Sequence, residues 1–97
     1  MSEKSTTLTI DEALNLASQA YHADRLPEAE NIYQQILNEH PNHPGALHMM
    51  GLSAHQVGKN DIAAQLMTKA IAAKPDYADA HNNLGIVLQS LGQPEDA

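Results

Sequence analysis

Apolar and small residues along this chain fall into helical stripes separated by short polar breaks. Ala13, Leu16, Ala17 and Ala20 recur at the spacing of one helix face. Just ahead of them, Thr9-Ile10-Asp11-Glu12 reads as a capping box: the threonine hydroxyl accepts from a first-turn N–H and Glu12 reaches back. Leu26-Pro27-Glu28 restarts a helix with proline in the first turn, where its missing N–H costs nothing. That second helix carries Ala29, Ile32, Tyr33, Ile36 and Leu37 on its inner side, and Pro41 closes it. A third opens at Pro44, carries Leu47, Met50, Gly51 and Ala54, and is expected to end at Gly58, since glycine tolerates the left-handed backbone of a helix stop. Asn60 is expected to cap a fourth helix, with Ala63, Met67, Ala70 and Ile71 inward and Pro75 at its end. Asp76 is expected to cap a fifth, which runs through Leu84, Gly85 and Leu88 to Gly92. Pro94-Glu95-Asp96-Ala97 reads as the opening of a sixth.

The stripes repeat. A shift of 34 residues superposes Ala29, Ala63 and Ala97, and equally Pro41 on Pro75, Gly51 on Gly85, Gly58 on Gly92 and Ala20 on Ala54. Leu16, Met50 and Leu84 share one apolar position, and Leu37 and Ile71 another. Agreement at so many special positions at one offset marks a true internal repeat, each unit being two helices and a turn.

Small residues at Gly51, Ala63, Ala70, Gly85 and Ala97, with Pro41 and Pro75 ending units, resemble the tetratricopeptide repeat. The resemblance implies an all-α right-handed superhelix of stacked antiparallel hairpins, about two and a half repeats long. In that register residues 1–9 are a leader and 10–97 the repeat domain, with units 10–43, 44–77 and a partial 78–97. The pattern departs from the family where an aromatic is common early in the first helix, here Ala13, Leu47 and His81, and where tyrosine is common later, here Ala20, Ala54 and Leu88. These departures change packing bulk. The small residues carry the geometry, because glycine or alanine at a helix crossing lets two backbones approach closely.

The resemblance further implies that the first helix of each unit lines a concave groove. The positions facing it are Asp11, Leu14, Asn15, Ser18, Tyr21 and His22 in the first unit. In the second they are Gly45, His48, Met49, Leu52, His55 and Gln56, and in the third Asp79, Asn82, Asn83, Ile86, Gln89 and Ser90. This set is polar but nearly uncharged. Asn and Gln offer both a donor and an acceptor, so they can satisfy the backbone of an extended peptide. Met49 and Leu52 can hold an apolar side chain, the thioether adapting to several shapes. The expected ligand is a peptide segment of another protein. The family's clamp for acidic chaperone tails is excluded, because its positions hold Leu14, Ser18, Met49, Asp79 and Asn83 and carry no cation.

The run Ala80-His81-Asn82-Asn83-Leu84-Gly85 is also similar to repeats ahead of the catalytic domain in bacterial O-linked N-acetylglucosamine transferase-like enzymes, where a groove asparagine recurs. Asn83 and Asn15 occupy that position and Met49 interrupts it. The likeness implies an alternative function, the N-terminal recruiting or oligomerising arm of a larger transferase.

Composition narrows the rest. A net charge of −7 with only five basic residues excludes the cationic footprint of nucleic-acid binding and disfavours an anionic membrane. Were all six histidines to protonate near their reference pKa of about 6.5, the charge would move toward about −1, so solubility is expected to fall between about pH 7 and pH 5.5. The chain has no cysteine, no signal-peptide pattern at its start and no apolar run of membrane-spanning length, from which a cytoplasmic protein is expected. No cofactor, metal or catalytic site is expected: nucleophile elbow, glycine-rich phosphate loop and HExxH are missing, and His48 and His55 would lie about 10 Å apart along a helix. His81 falls at a packing position. The face carrying Leu84, Leu88 and Leu91 has no second helix to cover it, so the expectation is either a longer protein or pairing of two copies through this end. The stop inside a helix favours the first.

Overall fold

The computed structural model describes residues 9–92. Within them lie five helices: α1 (Ile10–His22), α2 (Leu26–Glu39), α3 (Pro44–Gln56), α4 (Asn60–Ala73) and α5 (Ala78–Gly92). There is no strand among the described residues. Consecutive helices pack on one another, α1 on α2, α2 on α3, α3 on α4 and α4 on α5. The result is an all-α solenoid of helical hairpins, as the period implies. The opening of a sixth helix at Pro94–Ala97 falls outside the described residues.

The stops and starts follow from local chemistry. Thr9 Oγ1 accepts from the Glu12 N–H at 3.0 Å while the Thr9 N–H donates to the Glu12 carboxylate at 2.9 Å, which completes the capping box. α1 and α3 end in the same turn. Arg25 N–H bonds the Ala20 carbonyl and Lys59 N–H the Ala54 carbonyl, each at 2.8 Å, with Asp24 (φ 67) and Gly58 (φ 83) in left-handed backbone. Asp24 stands 34 residues before Gly58, so a non-glycine residue holds the left-handed position of the first unit.

Two expected caps are corrected. α4 starts at Asn60 itself, with Lys59 as N-cap and no side-chain cap bond. The Asn60 side chain is taken instead by His55, whose Nδ1–H donates to Asn60 Oδ1 at 2.6 Å. Asp76 lies in the turn before Tyr77, whose carbonyl accepts the His81 N–H at 3.1 Å, so α5 begins at Ala78, one residue later than an Asp76 cap requires. The cap on α3 comes from His43, whose Nδ1 accepts the Ala46 N–H at 3.1 Å.

The core runs along the stack in three clusters. The first joins Ala17, Ala20, Ala29, Tyr33, Ile36 and Ala46, the second Ala54, Ala63, Met67 and Val87, and the third Leu47, Ala70 and Ala80. Alanines at the crossings let backbones come close, and Tyr33 and Met67 supply the bulk. Gly51 is the tightest crossing: a Cβ there would lie 2.9 Å from Met67 Cγ and 3.3 Å from the Ala63 carbonyl oxygen. Gly85, its repeat partner, meets nothing within 4 Å.

Three packing expectations are corrected. Leu16 is 44% exposed, although Met50 and Leu84 at the same repeat position rest on core clusters, because no hairpin precedes α1 among the described residues. On the outer face of α5 it is Leu84 that departs, half-buried against the second core cluster where an uncovered side chain is expected, while Leu88 is exposed as expected. His81 is exposed and donates from Nε2 to the Pro75 carbonyl at 2.8 Å, a polar tether in place of packing.

Candidate functional site

The first helices of successive hairpins, α1, α3 and α5, are laced side to side by polar contacts. Gln56 Nε2 on α3 donates to the Tyr21 hydroxyl on α1, and Asn83 Nδ2 on α5 donates to His48 Nε2 on α3 at 2.8 Å. Both links join residues 35 apart, but they use different positions of the repeat: Tyr21 corresponds to His55 and His48 to Leu14. All four residues in these bonds belong to the set expected from sequence to face a groove.

Within that set the structure separates surface from support. Asn15, His22, Gln56, Asn82, Ile86 and Gln89 are exposed, and Ser18 is half-buried. His22 stands edge-on to the Tyr21 ring at 5.6 Å. Met49 is half-buried against the first core cluster and Leu52 against the second, so part of each side chain is committed to the core. His55 is half-buried and spends its Nδ1 on Asn60.

His48 is the main departure. It is only 5% exposed, beneath the face rather than on it. Its Nδ1 lies 3.1 Å from the Tyr77 hydroxyl, its ring meets the Tyr77 ring edge-on at 5.0 Å, and Nε2 takes the Asn83 amide. Burial pushes the imidazole below its ordinary value, and the Asp79 carboxylate opposes that in part. Burial, with Asp79, also pushes the Tyr77 hydroxyl up. Periodicity places His48 on the groove face; what hides it is Tyr77, from the turn between α4 and α5, a long-range contact that spacing on one helix does not encode.

No three His, Asp or Glu side chains among the described residues are grouped to hold a metal ion. No described helix is long and apolar enough to cross a membrane. An open cleft of about 620 Å³ lies elsewhere, between α2 and α4, lined by Leu26, Pro27, Glu30, Val57, Ile62 and Leu66 among others. Sequence reading missed it. The available signal was Val57 and Ile62, large apolar residues outside the helical stripes.

Comparison with known proteins agrees with this geometry. The chain is 31% identical over 72 residues to Tetratricopeptide repeat protein 7A of Homo sapiens, across 74% of this chain and 8% of that protein. It therefore spans a small part of the relative's length. Residues 66–97, from the middle of α4 onward, match the family model described as tetratricopeptide repeat, a kind of repeat that generally mediates protein–protein interaction, and the hairpins before them share its period and its packing.

Proposed function

We propose that this chain is a protein–protein interaction module that holds a peptide segment of a partner along the face of α1, α3 and α5, without doing chemistry itself. The observation that carries the reading is the row of first helices joined by the Gln56–Tyr21 and Asn83–His48 bonds, with the exposed amides of Asn15, Asn82 and Gln89 on the same helices. Asn15, Asn82, Asn83 and Gln89 can donate to and accept from a peptide backbone, while Met49 and Leu52 give it an apolar floor. A phage-displayed peptide library panned on the folded chain tests it. Wild type enriches a shared motif, and Asn83→Ala with Met49→Ala loses that enrichment while its helical circular dichroism persists. Absence of any motif, or a motif that survives the double change, overturns the reading.

A second surface supports association between copies. α5 turns Leu88 and Leu91 outward, 51% and 43% exposed, along the helix that carries the open Gly85. On α3, α4 covers the equivalent ground: Ala54, in the repeat position of Leu88, is buried.

A further inference from the structure

Asn83, the side chain best placed to read a peptide, does not point freely into the groove. Its Nδ2 is held at 2.8 Å by His48 Nε2. For Nε2 to accept that N–H, the ring proton must sit on Nδ1, where it donates to the Tyr77 hydroxyl at 3.1 Å. Asn83 is half-buried, and Ser53 Oγ is the one buried side-chain polar atom left unpaired among the described residues. The Asn83 carbonyl oxygen is therefore on the accessible side. A neutral His48 thus fixes which end of the amide the groove presents.

Proton uptake from solvent reverses the arrangement. A protonated imidazole donates from both nitrogens, so Nε2–H would oppose the amide N–H at 2.8 Å, two donors face to face. A half-turn of the amide about its last side-chain bond removes the conflict. Oδ1 then accepts from His48 and Nδ2 faces outward. Tyr77 adapts without moving, since its hydroxyl accepts from Nδ1–H in either state.

We propose that His48 is a positioning residue that sets the hydrogen-bonding sense of Asn83: with His48 neutral the groove offers an acceptor there, suited to a peptide N–H or a cationic side chain, and with His48 protonated it offers a donor, suited to a peptide carbonyl. This rests on reading α1, α3 and α5 as a peptide groove. The charged and titratable groups that bear on the ring are few. Asp79 on α5 favours its protonation, Tyr77 in the preceding turn is its hydrogen-bond partner, and Lys74 at the end of α4 stands over the Tyr77 ring, 5.0 Å from its centre. From α3 itself, the residues one turn away are Pro44, Gly45, Gly51 and Leu52, none of which titrates. Burial lowers the ring below its ordinary value, so it is neutral at pH 7, and the Asp79 carboxylate opposes that lowering in part.

The test needs no ligand, so its outcome is separate from that of the peptide screen. In the full chain labelled with ¹⁵N, the His48 ring nitrogens and the Asn83 side-chain amide are followed by NMR from pH 8 to pH 4.5. The Asn83 amide signals should titrate with the His48 midpoint, below 6.5. Asp79→Asn, an exposed change, should move both midpoints down together. His48→Gln should leave the Asn83 amide without that transition. An Asn83 amide that stays flat while His48 titrates overturns the proposal. So does an Asn83 midpoint that fails to follow His48 in Asp79→Asn, which decides the matter even if His48→Gln does not fold.

Discussion

At the scale of single residues, two positions show the sequence tolerating a local cost. Asp24 and Gly58 occupy the same left-handed turn in successive hairpins, and only the second is glycine. Left-handed backbone costs an ordinary residue roughly 1 kcal/mol, less for Asp, which can bond locally. Asp24→Gly should therefore stabilise the chain by up to about 0.5 kcal/mol, and Gly58→Ala should destabilise it by about 1 kcal/mol. No atom lies within 4 Å of a Cβ at Gly58, so the second effect is conformational and not steric. Urea melts of both variants check the pair, and a Gly58→Ala as stable as wild type would contradict it. Ser53 is the other position. Its hydroxyl is fully buried on α3 with no partner, while Val87 fills the same repeat position on α5. Removing an unsatisfied buried hydroxyl relieves a desolvation cost, so Ser53→Ala is expected to raise stability by about 1 kcal/mol, read as a higher urea midpoint at unchanged slope.

At the scale of elements, the two repeat glycines of α3 and α5 make opposite predictions from one sequence position. Gly51→Ala drives a methyl toward Met67 and the Ala63 carbonyl, and α4 must shift to receive it, at a cost of about 1–3 kcal/mol. Gly85→Ala meets open space within a helix, where alanine is favoured over glycine by about 1 kcal/mol. Thermal melts should thus move in opposite directions, and movement in the same direction would count against the close crossing of α3 and α4. This contrast also marks what the sequence made legible. Sequence pattern located the five described helices, the capping box and the Gly58 stop, because these depend on neighbours within a turn or on a face one helix long. It misplaced the caps at Asn60 and Asp76, since His55 draws the Asn60 side chain away and the turn at Tyr77 takes over from Asp76. The candidate site was legible as a row of faces. That His48 lies beneath it was not, because the covering Tyr77 comes from 29 residues away.

The whole molecule responds to pH through groups that folding shifts. Burial lowers His48 in the folded chain, so on acidification the unfolded chain takes up that proton first. The stability tied to neutral His48 is complete above about pH 6.5 and is lost as pH falls through the lower folded value. Tyr33 acts at the other limb. Burial, chiefly, raises it to about 12, so the unfolded chain loses its proton first and stability declines as pH rises from 10 toward that value. A melting temperature plotted against pH should form a plateau between these limbs, and His48→Gln should flatten the acid one. An acid limb unchanged by that substitution would place its cause in other groups.

Self-association sets the outer face of α5 against the charge of the whole chain. Leu88 and Leu91 offer an apolar strip, and at the repeat position of Leu88 α3 buries Ala54 under α4; water favours covering such a strip. Two copies brought together each carry −7, which opposes the contact at long range. Salt screens that repulsion over a Debye length of about 10 Å at 0.1 M and leaves the apolar attraction intact. The weight-average mass from light scattering should therefore rise with protein concentration, and rise further when salt is increased from about 0.05 to 0.5 M. Leu88→Gln with Leu91→Gln should return the chain to a monomer at every salt concentration while leaving its helicity unchanged, because neither side chain is buried in the core. A wild-type mass fixed at one chain across the series would discard pairing through α5. A mass that instead falls with salt would mean that contacts between charges, not leucines, hold the copies together.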